Sequence, residues 1–188
     1  PGEREGSYLK ANNAVARMTV ERPMVALARV NGARDPGSGP GSTLRNLASS
    51  RTDAHTSPDD VEQYAYDDRF CGFKLHPPVD GLPDEEVLSQ LDAVSLPVIV
   101  HGGEAFPPET VAETLLQYDF PVVLSHFGAH PLRRDLMDAA IDLLDAHDQL
   151  YLDTSAVRYR RPMERAILEH PDRVLFGSGV PSVHPNVA

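Results

Sequence analysis

Strand-like and helix-like segments alternate one for one through most of this chain, and that alternation limits its fold more than any other feature. The runs MVALARV (24–30), CGFKLH (71–76), PVIVH (97–101), PVVLSH (121–126), LYLDTS (150–155) and RVLFGS (173–178) are short and continuously apolar. Strands buried on both faces of a parallel sheet read this way. Helical patterns separate the last five, over 83–94, 107–118, 131–148 and 161–170. A helix over 7–21 precedes the first strand. Ser57–Pro58–Asp59–Asp60 opens another that runs to about Tyr66, with serine as N-cap, proline next and acids in the first turn. The Gly/Pro/Ser-rich stretch 31–43 reads as loop, with one or two helical turns over 44–51.

Strict β-α alternation predicts a parallel sheet with right-handed crossovers. The fold class expected is α/β, a parallel (β/α) TIM-barrel-like domain over residues 1–188. A complete eight-stranded barrel takes about 250 residues and rarely fewer than ~200. With 188 residues and six strands, this one is expected to be incomplete, about six strands of eight.

Three consecutive strands end in histidine: His76, His101 and His126, each 25 residues after the last. In a parallel barrel the carboxyl ends of the strands converge on one face, where chemistry is built. Imidazole binds metals and carries protons near neutral pH. His101 and His126 each precede a glycine-containing turn, HGGE (101–104) and HFGAH (126–130), which lets backbone and ligand approach closely. A lone strand-end histidine more often bonds to its own loop. Two in the same setting on neighbouring strands favour a site.

His76 is held in an extended loop start by Pro77. Lys74 shares its face of the strand and is one of only two lysines in the chain. Either Lys74 binds a substrate carboxylate or it pairs with an internal acid, and both readings stand. Asp153 either orients a histidine or caps the following loop, capping being the commoner role. Arg158, with Arg160 and Arg161 near it, either holds a carboxylate or belongs to a solvated loop. His130, His147 and His170 are placed near helix ends, where the helix dipole accounts for them.

The 28 acids against 17 bases give a net charge of −11, which disfavours nucleic acid as a partner. Asp-rich, Lys-poor surfaces also occur in salt-loving microbes, and an ordinary acidic enzyme fits equally. No apolar run of 18 residues exists, so no membrane span is expected. The first ten residues lack the pattern of a signal peptide. Cys71 is the only cysteine, which excludes an internal disulfide and fits a reducing cytoplasm.

GFKLHP (72–77), PVIVHGG (97–103), VVLSHFGAHP (122–131), LYLDTS (150–155) and RVLFGSGVP (173–181), preceded by ALARVNGARDP (26–36), resemble in their order the amidohydrolase-2 branch of the amidohydrolase superfamily. Those proteins are metal-dependent TIM-barrel hydrolases and decarboxylases. The resemblance implies that these strands are the third to the eighth of a barrel. It makes His101 a metal ligand and His126 a ligand or water-activating group. Lys74 matches a fourth-strand lysine typical of the branch. The implied cofactor is one divalent metal, zinc being the expected ion.

Two departures matter. The first-strand His-x-His pair of the family occurs nowhere in the chain. The family's eighth strand ends Gly-Ser-Asp, where this chain reads Gly177–Ser178–Gly179. His184, five residues on, is a conceivable substitute. The chain is therefore expected to be truncated at both ends, or to pair with another copy that covers open barrel edges.

The function expected is hydrolysis of a C–N or C–O bond, or non-oxidative decarboxylation, in a small carboxylate-bearing substrate. His126 is the catalytic candidate. His101 and His126 are the metal candidates, Lys74, His76 and Arg158 the substrate contacts, and Asp153 a supporting acid. The alternative is a catalytically inactive barrel that binds a small acid or serves in assembly.

Overall fold

The structure is a computed structural model, and it describes residues 7–37 and 39–179. The chain begins with α1 (Ser7–Glu21), β1 (Ala26–Val30), α2 (Pro40–Ala48), α3 (Pro58–Ala65), β2 (Phe70–Leu75), α4 (Pro77–Asp80) and α5 (Glu85–Val94). It continues through β3 (Val98–Gly103), α6 (Pro108–Thr114), β4 (Val122–His130), α7 (Arg134–Leu144), β5 (Leu150–Asp153), α8 (Arg160–Glu169) and β6 (Val174–Leu175). The six strands form one parallel sheet in sequence order, β1-β2-β3-β4-β5-β6. This is the expected (β/α) barrel-like, incomplete α/β fold.

Two compact units share the chain. One ends at Ile99 and takes in Tyr118–Phe120. The other comprises Val100–Gln117 and the chain from Pro121 on. In the first, Asn12 of α1 clasps β1: its side chain donates to the Arg29 carbonyl (3.0 Å) and accepts from the Arg29 N–H (2.7 Å). Phe73, Leu75, Val61, Leu88 and Leu91 fill this core. In the second, Val100, Phe106, Val111, Leu124, Met137, Ile141 and Leu152 are buried. Burial alternates along β1, where Ala26, Ala28 and Val30 are buried while Leu27 and Arg29 are only partly covered. Continuous apolarity therefore overstates burial on the second face.

Several boundaries differ from the sequence expectation, each for a local reason. Helix α2 starts at Pro40, inside the stretch read as loop, because proline presets φ at the first helical position after Gly39. The four-residue α4 was not anticipated; Pro77 starts it and Gly81, at φ 78°, stops it. Helix α5 begins after Asp84, whose side chain accepts from Val87 N–H, so Pro83 lies outside it. The last strand shrinks to Val174–Leu175. Ser57 is the N-cap of α3 with Pro58 next, as read, and Asp60 closes a capping box with it.

The largest correction is β4, which runs four residues past His126 to His130. Three residues in a row there have positive φ: His126 (60°), Phe127 (51°) and Gly128 (63°). A glycine-rich sequence reads as a turn, yet neighbouring groups hold this one in the sheet. Its consequence is that His130 lies at a strand end and not on a helix terminus.

Candidate functional site

In the second unit β3 and β4 place three imidazoles together. Ring centroids lie 5.0 Å apart for His101 and His126, 5.0 Å for His101 and His130, and 5.6 Å for His126 and His130. His101 and His126 are half-buried and His130 is exposed. The expected pairing of His101 with His126 is present, and His130 joins it. The signal that could have found His130 is HxxxH in a segment long enough to stay extended.

Glycines make the approach geometrically possible. A Cβ on Gly103 would stand 2.2 Å from the His130 carbonyl oxygen, and one on Gly102 would stand 2.9 Å from Gly128 Cα. The Glu104 N–H donates to the same His130 carbonyl at 3.0 Å. The HGG sequence thus does more than turn the chain: it lets the two strand ends touch.

His126 has a positive φ although it carries a side chain, which is uncommon and recurs at functional sites. Two features hold it there. Its N–H donates to Asp153 Oδ1 at 3.1 Å, and Phe127 beside it is fully buried. Its ring Nδ1 lies 2.9 Å from the Ser155 carbonyl and 2.8 Å from Ser155 Oγ. Ser155 Oγ in turn makes a short bond to Asp153 Oδ1, which also accepts from Ser155 N–H at 2.9 Å.

This set of bonds has one consistent arrangement of protons. A carboxylate only accepts, so the hydroxyl hydrogen of Ser155 goes to Asp153. The Ser155 carbonyl also only accepts. Nδ1 of His126 must therefore carry the hydrogen, and the neutral ring presents its lone pair at Nε2. A histidine fixed in this way serves as a base or as a metal donor.

Asp153 Oδ1 accepts from the N–H groups of His126 and Ser155 and from the Ser155 hydroxyl, so its link to His126 runs through the backbone and through Ser155 instead of the ring directly. Sequence reasoning missed Ser155, which is buried and carries the orienting contact. The loop after β6 packs here too, since a Cβ on Gly177 would lie 3.1 Å from Asp153 Oδ1. Gly179 follows at φ 68°. His184 lies outside the described residues. Arg158 is exposed on the loop after β5.

In the first unit Lys74 is half-buried and in register with Arg29 of β1. His76 precedes α4 and caps it through its backbone, its carbonyl accepting from Val79 and Asp80 N–H groups at 2.9 Å each.

Imidazoles suit zinc and similar ions chemically. Yet among the described residues no three His, Cys, Asp or Glu side chains are arranged to hold a metal ion. The described donors do not make a complete coordination set. Among the described residues, too, no helix is long and apolar enough to cross a membrane.

No curated protein sequence matches the chain. A solved structure from Acinetobacter baumannii, titled a probable 2-pyrone-4,6-dicarboxylic acid hydrolase with citric acid bound, shares the fold with a TM-score of 0.53 and 17% identity. The match covers 94% of this chain and 66% of that one, just short of two thirds of the neighbour's length. A family profile described as Amidohydrolase matches residues 7–186. With nearly its whole length inside that profile, the chain belongs to the amidohydrolase family.

Proposed function

We propose that this chain carries part of the active site of a hydrolase for a small, carboxylate-bearing substrate, cleaving a C–N or C–O bond or removing a carboxyl group without oxidation. The observation that carries the reading is the Asp153–Ser155–His126 network, which leaves the lone pair of His126 on Nε2 in a ring whose centroid is 5.0 Å from that of His101. Family membership and the fold shared with a hydrolase support it. In this reading Nε2 of His126 takes a proton from the attacking water, and the imidazolium N–H so formed donates to the oxygen of the attacked carbonyl. Arg158 contacts a substrate carboxylate in the second unit. Lys74 and His76 are separate candidate contacts in the first.

Zinc, the implied cofactor, would supply an activated water. His101 and His126 are the donors this chain would offer, with further ligands from outside the described residues. Turnover of small lactone and amide acids in the presence of zinc tests the proposal. His126→Ala is expected to lower kcat about 100-fold or more. His101→Ala is expected to release bound zinc, measured by elemental analysis. Less than ~0.1 zinc per chain in the wild type, after refolding with the metal, would overturn the metal part.

A second reading has its own support in Gly179, whose side chain can neither bind metal nor move a proton. It is an inactive barrel that binds a small acid or serves in assembly. Binding of an acid without turnover across the same panel would select it.

A further inference from the structure

One residue of the turn after β5 holds three segments of the second unit together. We infer that Thr154 is a positioning residue for His126: it seats the segment after β6 against Asp153 and Ser155, and through them it keeps the ring hydrogen on Nδ1. The inference rests on the proposed function for its importance and deepens it by naming what controls the proton position in the base.

Three polar groups of Thr154 reach three different places. Its N–H donates to the Leu175 carbonyl of β6 at 3.0 Å. Its carbonyl accepts from Val157 N–H at 3.2 Å, which closes the turn over Ser155 and Ala156. Its hydroxyl oxygen accepts from Gly177 N–H at 3.1 Å. The turn is a demanding one, because Ala156 has φ 58° although it carries a Cβ. Such a conformation persists where its surroundings over-determine it. Here buried Val157 fixes one end of the turn and Thr154 the other.

Gly177 is the group that Thr154 delivers. A Cβ at 177 would lie 3.0 Å from Ser155 Cβ, and 3.1 Å from both Ser155 N and Asp153 Oδ1. The backbone there therefore rests on the two residues that orient His126. Asp153 is only half-buried, so water competes with protein donors for its carboxylate. With the segment seated on it, Oδ1 keeps the Ser155 hydroxyl as a donor.

Loss of the seat has a defined chemical consequence. Water donates to Oδ1, and the Ser155 hydroxyl turns its hydrogen toward His126 Nδ1, 2.8 Å away. A neutral ring that accepts at Nδ1 carries its hydrogen on Nε2, and the lone pair needed by a base or a metal donor is lost from that nitrogen. The Ser155 carbonyl, 2.9 Å from Nδ1, opposes the change, so a mixture of tautomers is expected and not a complete exchange.

Nitrogen-15 spectra of His126 in the full chain read the tautomer, with metal removed by a chelator so that no ion holds Nε2. The wild type is expected to show Nδ1–H. Thr154→Val keeps the shape of the side chain and removes the acceptor for Gly177 N–H. It is expected to raise the Nε2–H fraction at least about fivefold and to speed hydrogen exchange at Gly177 at least about tenfold. Thr154→Ser restores the oxygen and should return both to wild-type values. Thr154→Ala, which cannot overpack, should behave as the valine variant and decides the matter if valine prevents folding. An Nε2–H ring in the wild type, or a wild-type tautomer in a folded Thr154→Val or Thr154→Ala chain, would overturn the inference. None of these readings uses turnover. A wild type that hydrolyses nothing counts against the hydrolase reading alone, and an unchanged tautomer in an active enzyme counts against Thr154 alone.

Discussion

At the residue scale the informative position is Ser155. Its hydroxyl and carbonyl both face Nδ1 of His126, so it decides which ring nitrogen carries the proton. Ser155→Ala removes the hydroxyl and leaves Asp153 without its closest partner. The expected result is a fall in kcat of about 10- to 100-fold, with KM little changed and partial recovery in Ser155→Thr. Nitrogen-15 shifts of His126 report the tautomer directly. A ring that keeps Nδ1–H in the alanine variant would assign the orientation to the Ser155 carbonyl alone. The sequence showed His126 and Asp153 but not Ser155, because a serine two residues after a strand end has many ordinary uses. Only its distance to the ring distinguishes it.

At the element scale, strand ends are set by what they touch. β4 extends to His130 because Gly102, Gly103 and Gly128 leave room for it, and because Glu104 N–H closes on the His130 carbonyl. Gly103→Ala puts a methyl group against that carbonyl and should cost about 1–3 kcal/mol, read as a lower urea midpoint. It should also separate the His101 and His130 rings. The join between α1 and α3 responds to pH. Tyr8 is buried and donates to Asp60 Oδ2 at 3.1 Å. Burial first, and then the Asp60 charge, raise its pKa above the ordinary tyrosine value. The folded state therefore holds this proton more tightly than the unfolded chain. The stabilisation is complete below the unfolded pKa of about 10 and is lost as pH rises above it. Tyr8→Phe should flatten the loss of stability above about pH 10 and leave it unchanged below, measured by denaturant midpoints.

At the scale of the whole molecule the net charge of −11 sets the response to salt. Self-repulsion of the acidic surface is screened as the Debye length falls from about 10 Å to about 3 Å. The Tm should rise between ~0.1 and ~1 M sodium chloride, and a flat response would show that the ion pairs already balance the field. Most such pairs are exposed, as with Arg160–Glu164 and Arg165–Glu169 on α8, so each of these contributes little; Arg29–Asp80, with Asp80 buried, is the exception named among the described residues.

The sequence by itself determined the order and type of most elements, the parallel sheet and the family. Those follow from apolar runs, caps and strand-end motifs, which act over a few residues. It also brought forward His101 and His126, because both repeat the same local pattern. Tertiary structure alone decided the rest: that β4 carries His130 into the cluster, that Ser155 and not Asp153 faces the His126 ring, and that Thr154 ties Gly177 to the turn that carries Ser155. Each depends on contacts between segments distant in the chain, where packing and hydrogen bonding outweigh local preference. The even spacing of strand and helix told us where groups would emerge, and only the packed loops fixed which way they point.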